Sequence, residues 1–537
     1  VVNGVNTAMG RTPNTGSYYT FQSHATTSGK TPNQITSGNL SRTPDWTGAE
    51  LAMDITSARI VRNAIIAQSG GTLTYTPDPE GAGFQSDNQR FIIQNDARTL
   101  DIQNEWYYDP STRKIRIYSE GAPTGVQVAS LDLLVYINKN NFITIENISF
   151  QGANTASIEI NHSKNISIRN CDFNFSGRNA VFGSKGGSSL NLLIENCTIN
   201  HINDNGIDLP RVDFDNVVIR RNTLKNCGMI YGMMDKNDGV NNNSTAQAIS
   251  AAGANSLIEH NTIDSVGYIG IHFLGSNTTI QNNYIIDYCM LMNDGGGIYS
   301  WNGVRKTIQS NIKILNNVIL NRNTLSAVNT GDYGIYLDDL SNNIEVRGNT
   351  CANSGWGIEL HNVFDIKIKN NTVYNNSMAS IILYSDSEAG FVTGKVNMDN
   401  IEIKNNVFFA KTATQKTFWI YAKILPESPP HLASDSNYYI SSADDKGASI
   451  LINYNNRRVS NRTLSMWQTY SGQDARSKVA LSIPNDADVR FEYNPKSSPL
   501  VIQLNGKYID VKNTSYNGKI VLAPFTSVIL IKKGANR

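Results

Sequence analysis

Ile145-Glu146-Asn147-Ile148-Ser149-Phe150 and Ile168-Arg169-Asn170-Cys171-Asp172-Phe173 are one phrase written twice. An aliphatic anchor opens it, Asn occupies one or both middle positions, and an apolar residue closes it. The phrase returns with anchors at Ile194, Ile219, Ile258, Ile280, Ile314, Val346, Ile368 and Ile403. Successive anchors lie 22 to 39 residues apart, a basic turn of 22 to 26 that insertions lengthen on some turns. A short β phrase repeating at such a period marks a solenoid whose coils each bury a face against the next.

Three residues after the anchor stand Asn222, Asn261, Asn283, Asn317, Asn349, Asn371 and Asn406, with Cys171 and Cys197 in the same place on earlier turns. Stacked strands repeat every ~4.8 Å, a spacing at which Asn side chains bond one another and the backbone. The spacing therefore predicts an inward asparagine ladder that is structural, not catalytic, and a small thiol fits the same slot. A second phrase, Gly-Ile followed by alternating residues, keeps the same period at Gly206-Ile207, Gly270-Ile271, Gly297-Ile298, Gly334-Ile335 and Gly357-Ile358.

Together these predict an all-β chain: a right-handed parallel β-helix of about ten coils over residues 141–484. Residues 1–140 lack the repeat and carry a hairpin pattern, Glu105-Trp106-Tyr107-Tyr108-Asp109 and Lys114-Ile115-Arg116-Ile117-Tyr118 around a Pro-Ser-Thr turn. They are expected to form an N-terminal β cap, because an open coil exposes core and unpaired strand edge. Residues 485–537, with Asn505-Gly506 and Asn517-Gly518 turns between alternating strands, predict a small C-terminal antiparallel β-sandwich.

Composition excludes several classes of function. With 46 Lys+Arg against 45 Asp+Glu the net charge is +1, so no general field draws nucleic acid or anionic membrane. No apolar run reaches the length of a membrane span, and a soluble monomer is expected. The chain opens on Val1-Val2-Asn3-Gly4 without Met, as expected of a processed form. Five cysteines at irregular spacing predict buried thiols rather than disulfides or a metal site.

Alternation places one side of each Gly-Ile strand outward. Read up the stack, the positions after the inward Ile are Glu159, Phe182, Asp208, Ser250, His272, Tyr299, Tyr336, Glu359, Ile382 and Tyr421. Two residues further come Trp301, Asp338, His361, Tyr384 and Lys423. Aromatic rings, carboxylates and imidazoles on one face suit sugar, whose C–H faces stack on rings and whose hydroxyls take hydrogen bonds. Asp338 and Glu359 fall on adjacent coils two residues out of step, with Cα atoms expected roughly 8 Å apart, which fits the paired carboxyl groups of glycoside hydrolysis. Asp339 and Asp294 are further candidates for that pair or for tuning it. Asp208, His272, Tyr299, Trp301, Tyr336, His361 and Tyr384 are the expected substrate contacts, and insertions 229–247 and 386–400 the expected groove walls.

Asp294-Gly295-Gly296-Gly297-Ile298-Tyr299, Gly334-Ile335-Tyr336-Leu337-Asp338-Asp339, the Trp106 hairpin, Trp467-Gln468-Thr469-Tyr470-Ser471-Gly472-Gln473-Asp474 and Leu522-Ala523-Pro524-Phe525-Thr526-Ser527-Val528 resemble secreted bacterial right-handed β-helix proteins that act on carbohydrate. The resemblance implies a secreted or periplasmic protein of bacterial origin working on a polysaccharide or oligosaccharide. It implies glycoside hydrolysis, with polysaccharide lyase or epimerase relatives. The chain lacks the Asn-Thr-Asp and Gly-His-Gly motifs of polygalacturonases and the Asp-Pro-His-Asp motif of mannuronan epimerases.

Three readings compete: a glycoside hydrolase using the carboxylate pair, a lyase acting on a uronate glycan, and a non-catalytic glycan-binding protein. A lyase needs a base and a cation or Ca²⁺ against the uronate carboxylate, and only Lys423, with Arg211, Arg305 and Lys306 on flanking loops, is basic here. Asp235-Lys236-Asn237-Asp238-Gly239 hints at Ca²⁺ but fails the spacing of an EF-hand loop. No cofactor and no metal is expected.

Overall fold

The computed structural model describes the chain except residues 27–32, 41–43, 77–86, 185–187, 210–213, 235–244, 304, 322–330, 387–396, 424–430, 442–448, 455–457, 480–485 and 534–537. Three long sheets of 11, 12 and 13 strands run side by side, each built of strands one coil apart. All pairs within them are parallel except the last of the 13-stranded sheet, where Ile450–Tyr454 meets Arg458–Arg462 antiparallel. This is the parallel β-helix, slightly longer than the ten coils expected.

The ten anchors lie in one register on the 11-stranded sheet, Ile145 opposite Ile168, Ile168 opposite Ile194, and so on to Ile368 opposite Ile403. The eleventh strand, Leu432–Asp435, sets Ser434 opposite Ile403, and a polar residue at the anchor hides it from the apolar pattern. Two residues after each anchor the chain turns a corner in the left-handed region: Asn147, Asn170, Asn196, Asn282, Asn316, Asn370 and Asn405 all have φ between 51° and 59°. Asn tolerates that region better than other side chains, which explains its recurrence there. At Gly348 a Cβ would fall 2.2 Å from Asn316 Oδ1, so this corner takes glycine.

The ladder forms as expected and runs one rung further. Asn261 Oδ1 accepts from both the backbone N–H and the side chain of Asn222 at 3.0 Å, and Asn222 Nδ2 donates to the Ile194 carbonyl at 3.0 Å. The same triple repeats through Asn283, Asn317, Asn349, Asn371 and Asn406 to Asn437. There the Ser477 hydroxyl takes over, accepting from Asn437 N–H at 2.8 Å. A short helix, Leu464–Ser471, closes this end with its fully buried Trp467, whose indole donates to Asp474 Oδ2 at 2.8 Å. Anchors, inward Ile residues of the 13-stranded sheet and thiols share one continuous core, each buried aliphatic side chain contributing about 1.5–3 kcal/mol. All five cysteines are free and buried.

Residues 11–94 contain an eight-stranded antiparallel sheet. Leu51 and Met53 point into its own core with Phe91 and Ile93, while Ala52 and Ile92, one residue out of phase, join the solenoid core. This region lies along the flank of the coils rather than over the first one: Arg62 donates to Met234 O, Gln94 to Gly232 O, and Asn293 N–H to Ser57 O. Loops on the flank supply two carbonyls and one N–H to these bonds, and Phe142 on the first coil stays 81% exposed. The expected hairpin forms with Trp106 opposite Ile117.

The C-terminal region is one four-stranded antiparallel sheet. Ile509, Phe525, Ile529 and Ile531 pack on Ile286, Val318, Leu320, Val407 and Phe409 of the 12-stranded sheet, so the second layer of the expected sandwich is the solenoid itself.

Candidate functional site

The outward side of the 13-stranded sheet carries the predicted residues. Its register runs His272 to Tyr299 to Tyr336 to Glu359 to Ile382 to Trp419. A parallel file two residues on holds Trp301, Asp338, His361, Tyr384 and then Tyr421. Tyr421 was expected in the first file and Lys423 in the second. The register instead puts Trp419 and Tyr421 there, because Phe418, not Ile420, stands opposite the inward Ile381.

Asp338, Asp339, Asp294, Glu359, Tyr299, Tyr336 and His361 converge. Three donors point at Asp338: Tyr299 Oη to Oδ2 at 2.8 Å, and His361 Nδ1 at 2.8 Å and its neighbour's Asp339 N–H at 2.7 Å, both to Oδ1. Both oxygens of Asp338 therefore face hydrogen-bond donors. On its other side His361 Nε2 stands 3.0 Å from Asp386 Oδ1. Burial works against a charged imidazole, but hydrogen bonds to Asp338 and Asp386 outweigh it and hold His361 protonated, its pKa raised to about 11. The bond from His361 lowers Asp386 to about 2.

Glu359 differs in kind. It is 4% exposed, and burial, aided by the negative charge of Asp338 against the pull of His361, pushes its carboxyl up to about 8. Its Oε2 is buried and has no hydrogen-bond partner among the described residues. Burial thus favours the neutral, protonated form of Glu359.

Asp294 sits at a left-handed corner, φ 61°, just before the strand Gly295–Trp301. That strand packs so closely that a Cβ on Gly295 would fall 2.4 Å from the Tyr268 ring. As a residue Asp294 is exposed, yet its carboxyl is crowded enough for desolvation, with repulsion from Asp338, to raise it to about 6. Solvent access makes this weaker evidence of a fixed role than the shift at Glu359. Asp339 is half-buried and raised by desolvation and by Asp338, while Asn362 Nδ2 donates to it at 2.7 Å.

The remaining predicted contacts spread along the file. Trp301 precedes Asp338 in register, and Tyr384 lies edge-on to His361, ring centroids 4.7 Å apart. His272 meets Tyr299 at 5.5 Å. Asp208 is five ladder steps from Glu359, roughly 24 Å away, and is not brought into the cluster. Arg305 donates to the Ala252 carbonyl at 3.0 Å. Arg211, the 235–239 segment and most of both expected groove walls lie outside the described residues.

Three participants escaped the sequence reading. Asp386 follows Tyr384 by the two-residue outward step, a signal that was present but fell in a segment assigned to a loop. Asn362, at a corner with φ 49°, bridges Asp339 and Asp386. Tyr333 hydrogen-bonds Glu359 from outside the two files.

Asp338, Asp339 and His361 offer ligand atoms within 4.8 Å of one another. A divalent cation there would require His361 to give up its proton first, because both its nitrogens face carboxylates.

The family model of right-handed β-helix regions matches residues 247–422, the coils that carry this cluster. A comparison with curated proteins finds no match. Similar solved structures include a glycoside hydrolase, 15% identical with a TM-score of 0.52 over 72% of this chain and 74% of that one. Another is the A-module of an Azotobacter vinelandii mannuronan C-5 epimerase, at 13%, 0.42, 64% and 81%. A third is a mannuronic acid specific polysaccharide family 6 lyase from human gut microbiota, at 12%, 0.35, 60% and 83%. The family model and the likeness to the glycoside hydrolase, which at this identity concerns architecture alone, agree with the strand register: the chain is a right-handed parallel β-helix.

Proposed function

We propose that this chain is a glycoside hydrolase acting on a polysaccharide or oligosaccharide laid along the 13-stranded sheet. The observation that carries the reading is the contrast within one pair: Glu359 buried, raised to about 8 and without a partner for Oε2, and Asp338 ringed by three donors. A buried carboxyl group raised by desolvation beside one that accepts three hydrogen bonds is the equipment of acid/base hydrolysis. Glu359 protonates the leaving glycosidic oxygen. Asp338 either takes a proton from the attacking water, which solvent then returns to Glu359, or attacks the sugar carbon, after which water deprotonated by Glu359 breaks the glycosyl–Asp338 bond and restores both groups.

Elimination from a uronate finds less support. Tyr299, partly buried, and Tyr336, buried, both beside Asp338, have hydroxyls pushed well above their ordinary value by desolvation and by that carboxylate, Tyr336 also by Glu359. His361 is already protonated. None is a ready base. A uronate carboxylate would also meet Asp294, Asp338, Asp339 and Asp386, with His361, already shared by two of them, and Lys423, which acts on Asp386, as the counter-charges. A binding protein has no use for a buried acid with one oxygen left without a partner, which costs about 1–3 kcal/mol.

No described helix is long and apolar enough to cross a membrane, and action on external glycans is in keeping with a secreted or periplasmic monomer. The test is turnover of neutral polysaccharides followed by reducing ends. Activity in the unaltered chain that vanishes in both Asp338→Asn and Glu359→Gln supports hydrolysis; activity surviving in either removes that residue from the chemistry.

A further inference from the structure

The file through Glu359 continues into an aromatic enclosure that the carboxyl chemistry does not use. Ile382 and then Trp419 follow Glu359 in register. Trp356, three residues before Glu359 on the same strand, pairs with Ala379, whose small side chain leaves room for the indole to lean along the stack. The Trp356 ring reaches Trp419, centroids 5.2 Å apart, and stacks on Tyr333 at 6.3 Å and 19°. On the other flank Tyr384 and Tyr421 stack at 4.7 Å and 17°. Ile382, 4% exposed, is the floor between them, and the four rings flanking it are all partly exposed.

One polar group here lacks its partner. The Trp419 indole N–H is buried and makes no hydrogen bond among the described residues, although buried indoles almost always find an acceptor. It lies two ladder steps, about 10 Å, from Glu359, whose Oε2 is also without a partner. Two unsatisfied groups on one file, separated by an apolar floor and walled by rings, match a ligand with apolar ring faces and hydroxyls at its edges.

We propose that Trp356, Trp419, Tyr384 and Tyr421 form a binding subsite for an uncharged pyranose ring, so that a glycan held at Glu359 extends toward the C-terminal coils. The rings stack on sugar C–H faces, and a small movement of the Trp419 indole brings its N–H onto a hydroxyl. The proposal rests on the carbohydrate reading of the site and adds the direction of the chain and the neutrality of its sugar.

The full-length Glu359→Gln chain, which holds ligand without cleaving it, is titrated with cellohexaose, xylohexaose and mannohexaose and with the corresponding trisaccharides, following indole fluorescence. At least one hexaose is expected to bind, with Trp356→Ala weakening it about ten-fold and the trisaccharide affected less. Trp419→Phe, which keeps an aromatic ring and removes the N–H, is expected to weaken it several-fold. Circular dichroism checks that each variant is folded, and Tyr421→Ala provides an independent reading on the opposite flank. Binding within two-fold of the parent in Trp356→Ala, Trp419→Phe and Tyr421→Ala overturns the subsite, as does the absence of binding to every hexaose. Turnover that persists in Asp338→Asn while the ring variants lose binding would instead overturn the catalytic assignment and leave the subsite standing.

Discussion

The imidazole Nδ1 of His361 lies 2.8 Å from Asp338 Oδ1, and neither residue is placed by its own strand alone. Asp338 closes the strand Asp332–Asp338 and His361 closes Trp356–His361, one coil later. Parallel register sets them side by side, and Asp386 on the following coil grips the other imidazole nitrogen. Three coils therefore hold one carboxylate, and strand geometry is rigid enough to keep reacting groups in place.

Removing either member of the pair should abolish most turnover. Asp338→Asn and Glu359→Gln are each expected to lower kcat by about 10²- to 10⁴-fold, with the circular dichroism spectrum unchanged. Steady-state kinetics on the substrate found by screening checks this.

Activity should fall on the alkaline side as Glu359, raised to about 8, loses the proton it must donate. Because its folded pKa lies above the ordinary 4.5, the stability linked to Glu359 is fully present below that value and is lost as pH rises through about 8. Glu359→Gln is therefore expected to gain stability relative to the parent above pH 8, read by thermal unfolding across a pH series.

The His361 ion pairs have their own window. His361 moves up from 6.5 to about 11, so its contribution is complete below 6.5 and disappears as pH rises through 11. Asp386 moves down from 3.8 to about 2, so its contribution is complete above 3.8 and disappears as pH falls through 2. His361→Gln should thus cost most stability between pH 3.8 and 6.5 and progressively less outside it. A uniform loss at every pH would contradict the pairing.

In the ladder, Asn317 Oδ1 accepts from both the backbone and the side chain of Asn283. Asn317→Ala strands those buried donors and is expected to cost about 3 kcal/mol, measured by denaturant unfolding. Asn317→Cys should cost less, since Cys171 and Cys197 already occupy rungs of the same ladder, their thiols bonded to backbone carbonyls.

Much of the fold was legible because a solenoid repeats its instructions. The anchors Ile145 to Ile403, the corner Asn residues and the ladder each recur on coil after coil, so one exception such as Gly348 or Ser434 does not hide the rest. What did not repeat was harder to read. The apolar stripe of Ile286, Val318, Val407 and Phe409 faces the C-terminal sheet, and nothing local distinguishes an outward apolar residue that is covered from one that is not. The N-terminal sheet docks through a few apolar side chains such as Ala52 and Ile92 and single long-range bonds such as Arg62 to Met234 O, which leave no period. At the site, Asp338, Glu359 and His361 followed from alternation, whereas Tyr421 was displaced because alternation was counted from Ile420 instead of Phe418. Asp386 needed a distance that only the stacked coils reveal.

The most direct test of the carboxylate pair is to incubate the chain, Asp338→Asn and Glu359→Gln with neutral and uronate-containing polysaccharides, following reducing ends and the absorbance of unsaturated uronates together. New reducing ends from a neutral glycan, without unsaturation and absent in both variants, are the expected result. Unsaturated products, or cleavage that survives both substitutions, would contradict hydrolysis by Asp338 and Glu359.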